Sequence, residues 1–205
     1  MTMKLFASLT SPFARKVRVI LQEKNLPFEL VVDSPWESNT RIPGVNPLGK
    51  VPALVTEDGE VFHDSPVIAA YLETLNAAPH LLPLDRLEAV RVRQTEALAD
   101  GINDAAVIAL LESRRPDPQR SETVIARQME KVERTLDVLE KNATGRTWLH
   151  GDDINLGDIS VGIALAYLDL RFPALNWRAS RPALTALAER LFARDSFIDT
   201  TPPAG

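Results

Sequence analysis

A chain of 205 residues, 45% hydrophobic and 25% charged, can bury a sizeable core as one large domain or two small ones. Its formal charge of -5 argues against a general nucleic-acid binder; no apolar run approaches the roughly 20 residues needed to span a membrane, and the N-terminus lacks the apolar core of a signal peptide, so a soluble, cytoplasmic protein is expected. The absence of cysteine excludes disulfides, thiolate metal sites and thiol exchange by the protein's own sulfur, so any thiol chemistry must use a thiol carried by a ligand.

Met3 to Ala7 is a short apolar run suited to a buried strand, and it leads directly into Thr10-Ser11-Pro12-Phe13. Ser11 reads as an N-cap and Pro12 as the first helical residue. A helix start of this kind points unpaired N–H groups and a positive dipole end at the space beside the hydroxyls, which suits an anion. Phe13, Val17, Ile20 and Leu21 follow helical spacing, and Asn25 and Pro27 stop the helix. The basic residues Arg15, Lys16 and Arg18, like Arg114 and Arg115 later, are expected on solvated helix faces. Phe28 to Val32 is a second strand, and the β-α-β crossover favours a parallel pair.

Ser34 to Gly49, with three prolines, two glycines and Trp36, is expected to be irregular with one short helix. Val51 to Thr56 and Glu60 to His63 flank Glu57-Asp58-Gly59, a hairpin signal. Asp64-Ser65-Pro66 repeats the pattern of a serine cap followed by proline, and Val67, Ile68, Tyr71, Leu72 and Leu75 mark the helix after it.

Asn76 to Asp85, with prolines at 79 and 83, reads as a linker. A long helix follows from Leu87 to Glu112, loosened near Gly101, and Ser113 to Gln119 breaks it. Ile125, Met129, Val132, Leu136 and Leu139 form the stripe of a bundle helix. Asn155 and Asp158 form a capping box, closed by a staple between Ile154 and Ile159, ahead of a buried helix from Leu156 to Leu170; Asp158 is therefore read as structural. A loop with Trp177 precedes a last helix, Arg181 to Ala193. The three histidines lack metal-ligand spacing, and the usual signals of dinucleotide binding, phosphoryl transfer and serine hydrolysis are missing.

From about Met3 to Thr200 the chain resembles the cytosolic glutathione S-transferase superfamily, in its bacterial members with a serine-type active site. Four features carry the resemblance: Ser11-Pro12-Phe13 opening the first helix, Asn46-Pro47 with Lys50-Val51-Pro52 before the third strand, Asp64-Ser65 at the next helix, and an all-helical second half. The resemblance implies an α/β thioredoxin-like N-terminal domain over residues 1–77 that binds glutathione, a linker at 78–85 and an all-helical bundle domain over 86–205. It implies Ser11, or alternatively Thr10, as the hydroxyl donor to the glutathione thiolate, with Phe13 beside it. It implies a cis Val51-Pro52 bond whose Val51 main chain pairs with the cysteinyl part, Ser65 on the γ-glutamyl carboxylate with Asp64 near the amino end, and Lys50 on the glycyl carboxylate. Glutathione is then a substrate and no metal is needed; the partner is a small electrophile, in a pocket between Ser11 and the long helix near Gly101 to Leu111, and a homodimer serving detoxification is expected. With serine at 11, conjugation or peroxide reduction is favoured over thiol transfer, and dehalogenase or isomerase chemistry would use the same site. The competing reading is a binding or regulatory protein of the same fold without turnover.

Overall fold

A computed structural model of the chain describes residues 2–75 and 77–203, which form two compact units. One unit holds the residues up to Leu82 together with the segment from Ala193; the other runs from Pro83 to Phe192. Asn76, at the start of the expected linker, lies outside the described residues.

The first unit is built on β1 (Met3–Ala7), α1 (Pro12–Glu23), β2 (Phe28–Val32), β3 (Ala53–Val55), β4 (Val61–Phe62) and α2 (Ser65–Thr74). The sheet order is β2-β1-β3-β4, with β1 and β2 parallel and β3 antiparallel to both β1 and β4. Met3, Leu5 and Ala7 alternate into the core from the central strand, and Ala14, Val17, Ile20 and Leu21 of α1 are buried with them. Asn25, left-handed at φ 50, ends α1 as expected of an asparagine just past a helix. The stretch from Ser34 to Gly49 holds a single 3-10 turn, Ile42–Gly44. The third strand is shorter than Val51 to Thr56 because its ladder to β1 begins at Ala53 opposite Phe6; Pro52 has no N–H to contribute.

One expectation fails clearly in α1. Arg15, Lys16 and Arg18 are buried, not solvated, and over Arg15 and Arg18 it is the segment 197–200 that returns. Arg15 donates from Nη2 to the Phe197 carbonyl (3.0 Å) and from Nε to Thr200 Oγ1 (3.3 Å), and Arg18 donates to the carbonyls of Thr200 (3.3 Å) and Asp199 (3.4 Å). Lys24 is buried too. Its ammonium donates to Glu73 Oε1 (2.8 Å) and to the carbonyls of Ala77 (2.6 Å) and Pro79 (2.8 Å), which ties the chain beyond α2 back to α1 and fills the three donors of the group.

The second unit contains α3 (Arg86–Ser113), α4 (Glu122–Ala143), α5 (Leu156–Arg171) and α6 (Pro182–Phe192). Asp85 caps α3, its Oδ1 accepting from the amides of Leu87 and Glu88 at 2.9 Å each. The loosening expected at Gly101 is absent: α3 runs unbroken for 28 residues, supported along its length by α4 and α5. In α4 the stripe is buried at Val132, Leu136 and Leu139 but only half-buried at Ile125 and Met129. Helix α5 is buried on nearly all sides and opens with the expected capping box. At Gly157 a Cβ would stand 3.1 Å from Thr95 of α3, so glycine permits this close helix approach. Glu140 caps α6 by accepting from the amides of Ala183 (3.0 Å) and Leu184 (2.8 Å).

Helix α6 stops at Phe192 and a further short helix, α7 (Asp195–Ile198), follows. The resemblance implies an all-helical domain that includes the segment after Phe192; hydrogen bonds of that segment to Arg15 and Arg18, and those of Arg194 and Ser196 to Glu23, group it with the first unit.

Candidate functional site

The strand register brings three of the singled-out segments to one end of the sheet. With Phe6 opposite Ala53 and Leu54 opposite Phe62, the exits of β1 and β4 and the entry to β3 share that end. Residues 8–11 leave β1 there, Lys50-Val51-Pro52 enters β3 there, and His63-Asp64 leads from β4 into α2 there.

At the first segment Ser11 is the N-cap of α1, extended at φ -76 and ψ 123. Its Oγ accepts from the Ala14 amide at 3.3 Å and its carbonyl accepts from the Arg15 amide at 3.0 Å. A hydroxyl that accepts from the backbone keeps its proton to donate elsewhere. Ser11 and Phe13 are half-buried, which leaves the hydroxyl reachable from outside. Thr10 is half-buried as well, and its Oγ1 lies 3.4 Å from Ser8 Oγ, a serine that sequence reasoning did not single out. Both hydroxyls thus stand beside the N-terminus of a 12-residue helix, whose dipole favours an anion.

At the second segment the Val51–Pro52 bond is cis and Val51 lies past the end of the β1–β3 ladder. Sequence reasoning missed what holds it. Asn46, 2% exposed, donates from Nδ2 to the Lys50 carbonyl (2.8 Å) and accepts at Oδ1 from the Leu48 amide (3.0 Å). Gly49 closes the turn at φ 63, donating to the Asn46 carbonyl at 2.8 Å, a backbone conformation that suits glycine. An asparagine three residues before a glycine was the available signal. Lys50 itself is exposed, Val51 half-buried and Pro52 buried.

At the third segment the cap differs from the serine cap expected. Asp64 is the N-cap of α2 and Ser65 its first residue, because the Asp64 carboxylate accepts from the Ser65 amide and the Asp64 carbonyl from the Ile68 amide (2.9 Å). Asp64 is exposed at the rim. Ser65 is fully buried and its Oγ has no hydrogen-bond partner among the described residues; His63 Nδ1 is in the same condition. Buried polar atoms are nearly always paired, so an orphaned hydroxyl at a helix N-terminus stands out among the polar groups at this end of the sheet.

Among the described residues, no group of three or more His, Asp or Glu is placed to hold a metal ion, and no helix is long and apolar enough to cross a membrane.

Residues 10–75 match the family model described as "Glutathione S-transferase, N-terminal domain", and residues 122–190 match "Glutathione S-transferase, C-terminal domain". The chain is 48% identical to the uncharacterized GST-like protein YibF of Escherichia coli (strain K12) over 201 residues, 98% of this chain and 99% of that protein. Among solved structures it is similar to a glutathione S-transferase of Methylobacterium radiotolerans in complex with glutathione sulfonate, at a TM-score of 0.95 and 42% identity over 100% of this chain and 97% of the other. It is equally similar in fold to a glutathione S-transferase of Methylobacillus flagellatus with GSH bound, at a TM-score of 0.95 and 41% identity over 98% and 100%.

Proposed function

The chain belongs to the glutathione S-transferase family, and from that premise we propose that it binds glutathione at this end of the sheet and activates its thiol for attack on a small electrophile, in conjugation or peroxide reduction. The observation that carries the reading is the buried, unpartnered Ser65 Oγ at the start of α2, on the same sheet end as the half-buried Ser11.

In this reading Ser65 and the first amides of α2 receive the γ-glutamyl carboxylate, with Asp64 at the rim facing the amino end. The Val51 main chain, turned out of the ladder and steadied through Asn46, pairs with the cysteinyl part as an added strand would. Lys50, exposed next to it, meets the glycyl carboxylate. These contacts set the thiol beside Ser11 and Phe13.

A free thiol of pKa about 8.5 is mostly protonated at neutral pH, and the thiolate is the nucleophile. Ser11 donates its hydroxyl proton in a hydrogen bond to the sulfur while its Oγ accepts from Ala14, and the N-terminus of α1 adds a favourable field. Both effects stabilise the charged form, each unit of pKa being worth about 1.4 kcal/mol. The thiol's proton leaves to solvent, so no general base from the protein is required. Thr10, already near Ser8 Oγ, is the alternative donor.

Calorimetric titration with glutathione tests binding, and heat of binding is expected. The ultraviolet absorbance of bound glutathione against pH, in wild type and Ser11→Ala, tests the donor; an unchanged thiolate pKa would overturn the assignment. Binding without turnover of any electrophile would favour a regulatory protein instead. A homodimer in the cytoplasm belongs to the same reading, and light scattering measures the oligomeric state.

A further inference from the structure

We propose that Arg15 is a positioning residue for Ser11, and that residues 197–200 form a clasp which sets the activating helix through it. This rests on the reading of Ser11 given above. The connection is continuous. The Arg15 amide donates to the Ser11 carbonyl (3.0 Å), closing the first turn of α1. The guanidinium of the same residue donates to the Phe197 carbonyl (3.0 Å) and Thr200 Oγ1 (3.3 Å), with its carbon 5.8 Å from the centre of the Phe197 ring. Thr200, fully buried, donates in turn to the Ser196 carbonyl (2.7 Å), so the acceptors are themselves held.

One turn along, Arg18 donates to the carbonyls of Asp199 and Thr200. At the far end of α1, Glu23 accepts from Arg194 through both carboxylate oxygens (2.7 Å each) and from Ser196 Oγ (2.6 Å). The helix that presents Ser11 is therefore gripped at both ends by one short segment more than 170 residues away in sequence. Placing cations in the N-terminal half of a helix opposes its dipole, and burying a guanidinium removes its hydration. Burial, with the neighbouring Arg18 second, lowers the Arg15 pKa to about 10, and the side chain is still a cation at neutral pH. A planar fork with several fixed donors suits two divergent acceptors; a lysine ammonium would reach them with far less directional control.

The test uses the full chain with Arg15→Met, Arg15→Lys and Thr200→Val. Because glutathione is gripped mainly through Ser65 and Val51, its Kd should change by less than about threefold, while kcat falls and the thiolate pKa of bound glutathione rises by about half a unit or more in both Arg15 variants and in the same direction in Thr200→Val. Lower melting temperature with an unmoved thiolate pKa would reduce the clasp to simple packing and overturn the proposal. Full rescue by Arg15→Lys would also overturn it, since charge rather than the fork would then be what matters. If the wild-type protein gives no heat with glutathione, the functional reading fails on its own. The clasp is then judged by hydrogen exchange: faster exchange of the Phe13 to Lys16 amides in Thr200→Val supports it, and unchanged exchange rejects it.

Discussion

The N-termini of α5 and α2 are built from the same short polar chemistry and end in opposite conditions. At α5, Asn155 Oδ1 accepts from the amides of Gly157 (2.9 Å) and Asp158 (3.2 Å), and Asp158 accepts from those of Asn155 (3.0 Å) and Leu149 (2.8 Å). Asn155 Nδ2 also donates to the His150 carbonyl at 2.9 Å. At α2 the Asp64 carboxylate caps one amide, and the adjacent Ser65 hydroxyl is buried without a partner among the described residues. A helix start whose donors and acceptors are matched within the chain holds the fold together. One that leaves a buried hydroxyl unmatched adds nothing to the fold through that hydroxyl, and under the proposed function the missing partner is the glutathione carboxylate.

The strongest way to break this contrast is at α5. Asp158→Ala strands the Leu149 and Asn155 amides in the core, and the loss should be about 3–5 kcal/mol in denaturant unfolding, with glutathione affinity of the folded protein unchanged. A lost affinity at full stability would reverse the roles of the two helix starts.

The same carboxyl gives a pH signature. Burial raises the Asp158 pKa to about 6 in spite of its backbone donors, against an unfolded value near 3.9. Between these values the folded protein holds a proton that the unfolded chain has released, so this group's contribution to stability is fully present below pH 4 and is lost as pH rises through 6. The fall from this group should be about 3 kcal/mol. Urea midpoints across that range measure it, and Asp158→Asn should flatten the profile.

Smaller effects belong to α2 and α1. Ser65→Ala should leave stability within about 0.5 kcal/mol, since no hydrogen bond among the described residues is lost, yet weaken glutathione binding about 10- to 100-fold through the missing bond to a charged group. Calorimetry on the variant decides whether the orphaned hydroxyl is a ligand contact. Ser11→Ala removes a long cap bond and should cost about 1 kcal/mol of stability. Its thiolate pKa should rise by about one unit with little change in Kd.

Much of this was legible locally. The Ser11-Pro12 helix start, the parallel β1–β2 pair, the hairpin at Gly59 and the Asn155–Asp158 box each depend on residues within a few positions of one another, where turn, cap and alternation rules act. Ser65 was placed at the site, but the pattern of serine before proline assigned it the cap, which Asp64 takes because its carboxylate reaches the next amide. The burial of Arg15 and Arg18 is not legible locally, because helical spacing reports only which residues share a face. It cannot report that a segment more than 170 residues later will cover that face. Asn46 belongs to a motif visible in the sequence, but its role does not show there: it holds the Lys50 carbonyl, and a side chain's hydrogen-bond partner has no periodicity to detect.

The sequence by itself determined the order of elements, the two capped helices with their hydroxyls and the lack of a protein thiol, because these follow from local chain geometry and composition. The tertiary structure alone decided which polar atoms are satisfied within the chain. Strand register brings Ser11, Val51 and Ser65 to one end of the sheet, and the returning segment turns Arg15 and Arg18 of α1 into buried anchors. Both are long-range packing outcomes, set by burial and hydrogen bonding between segments that have no local relation in the sequence.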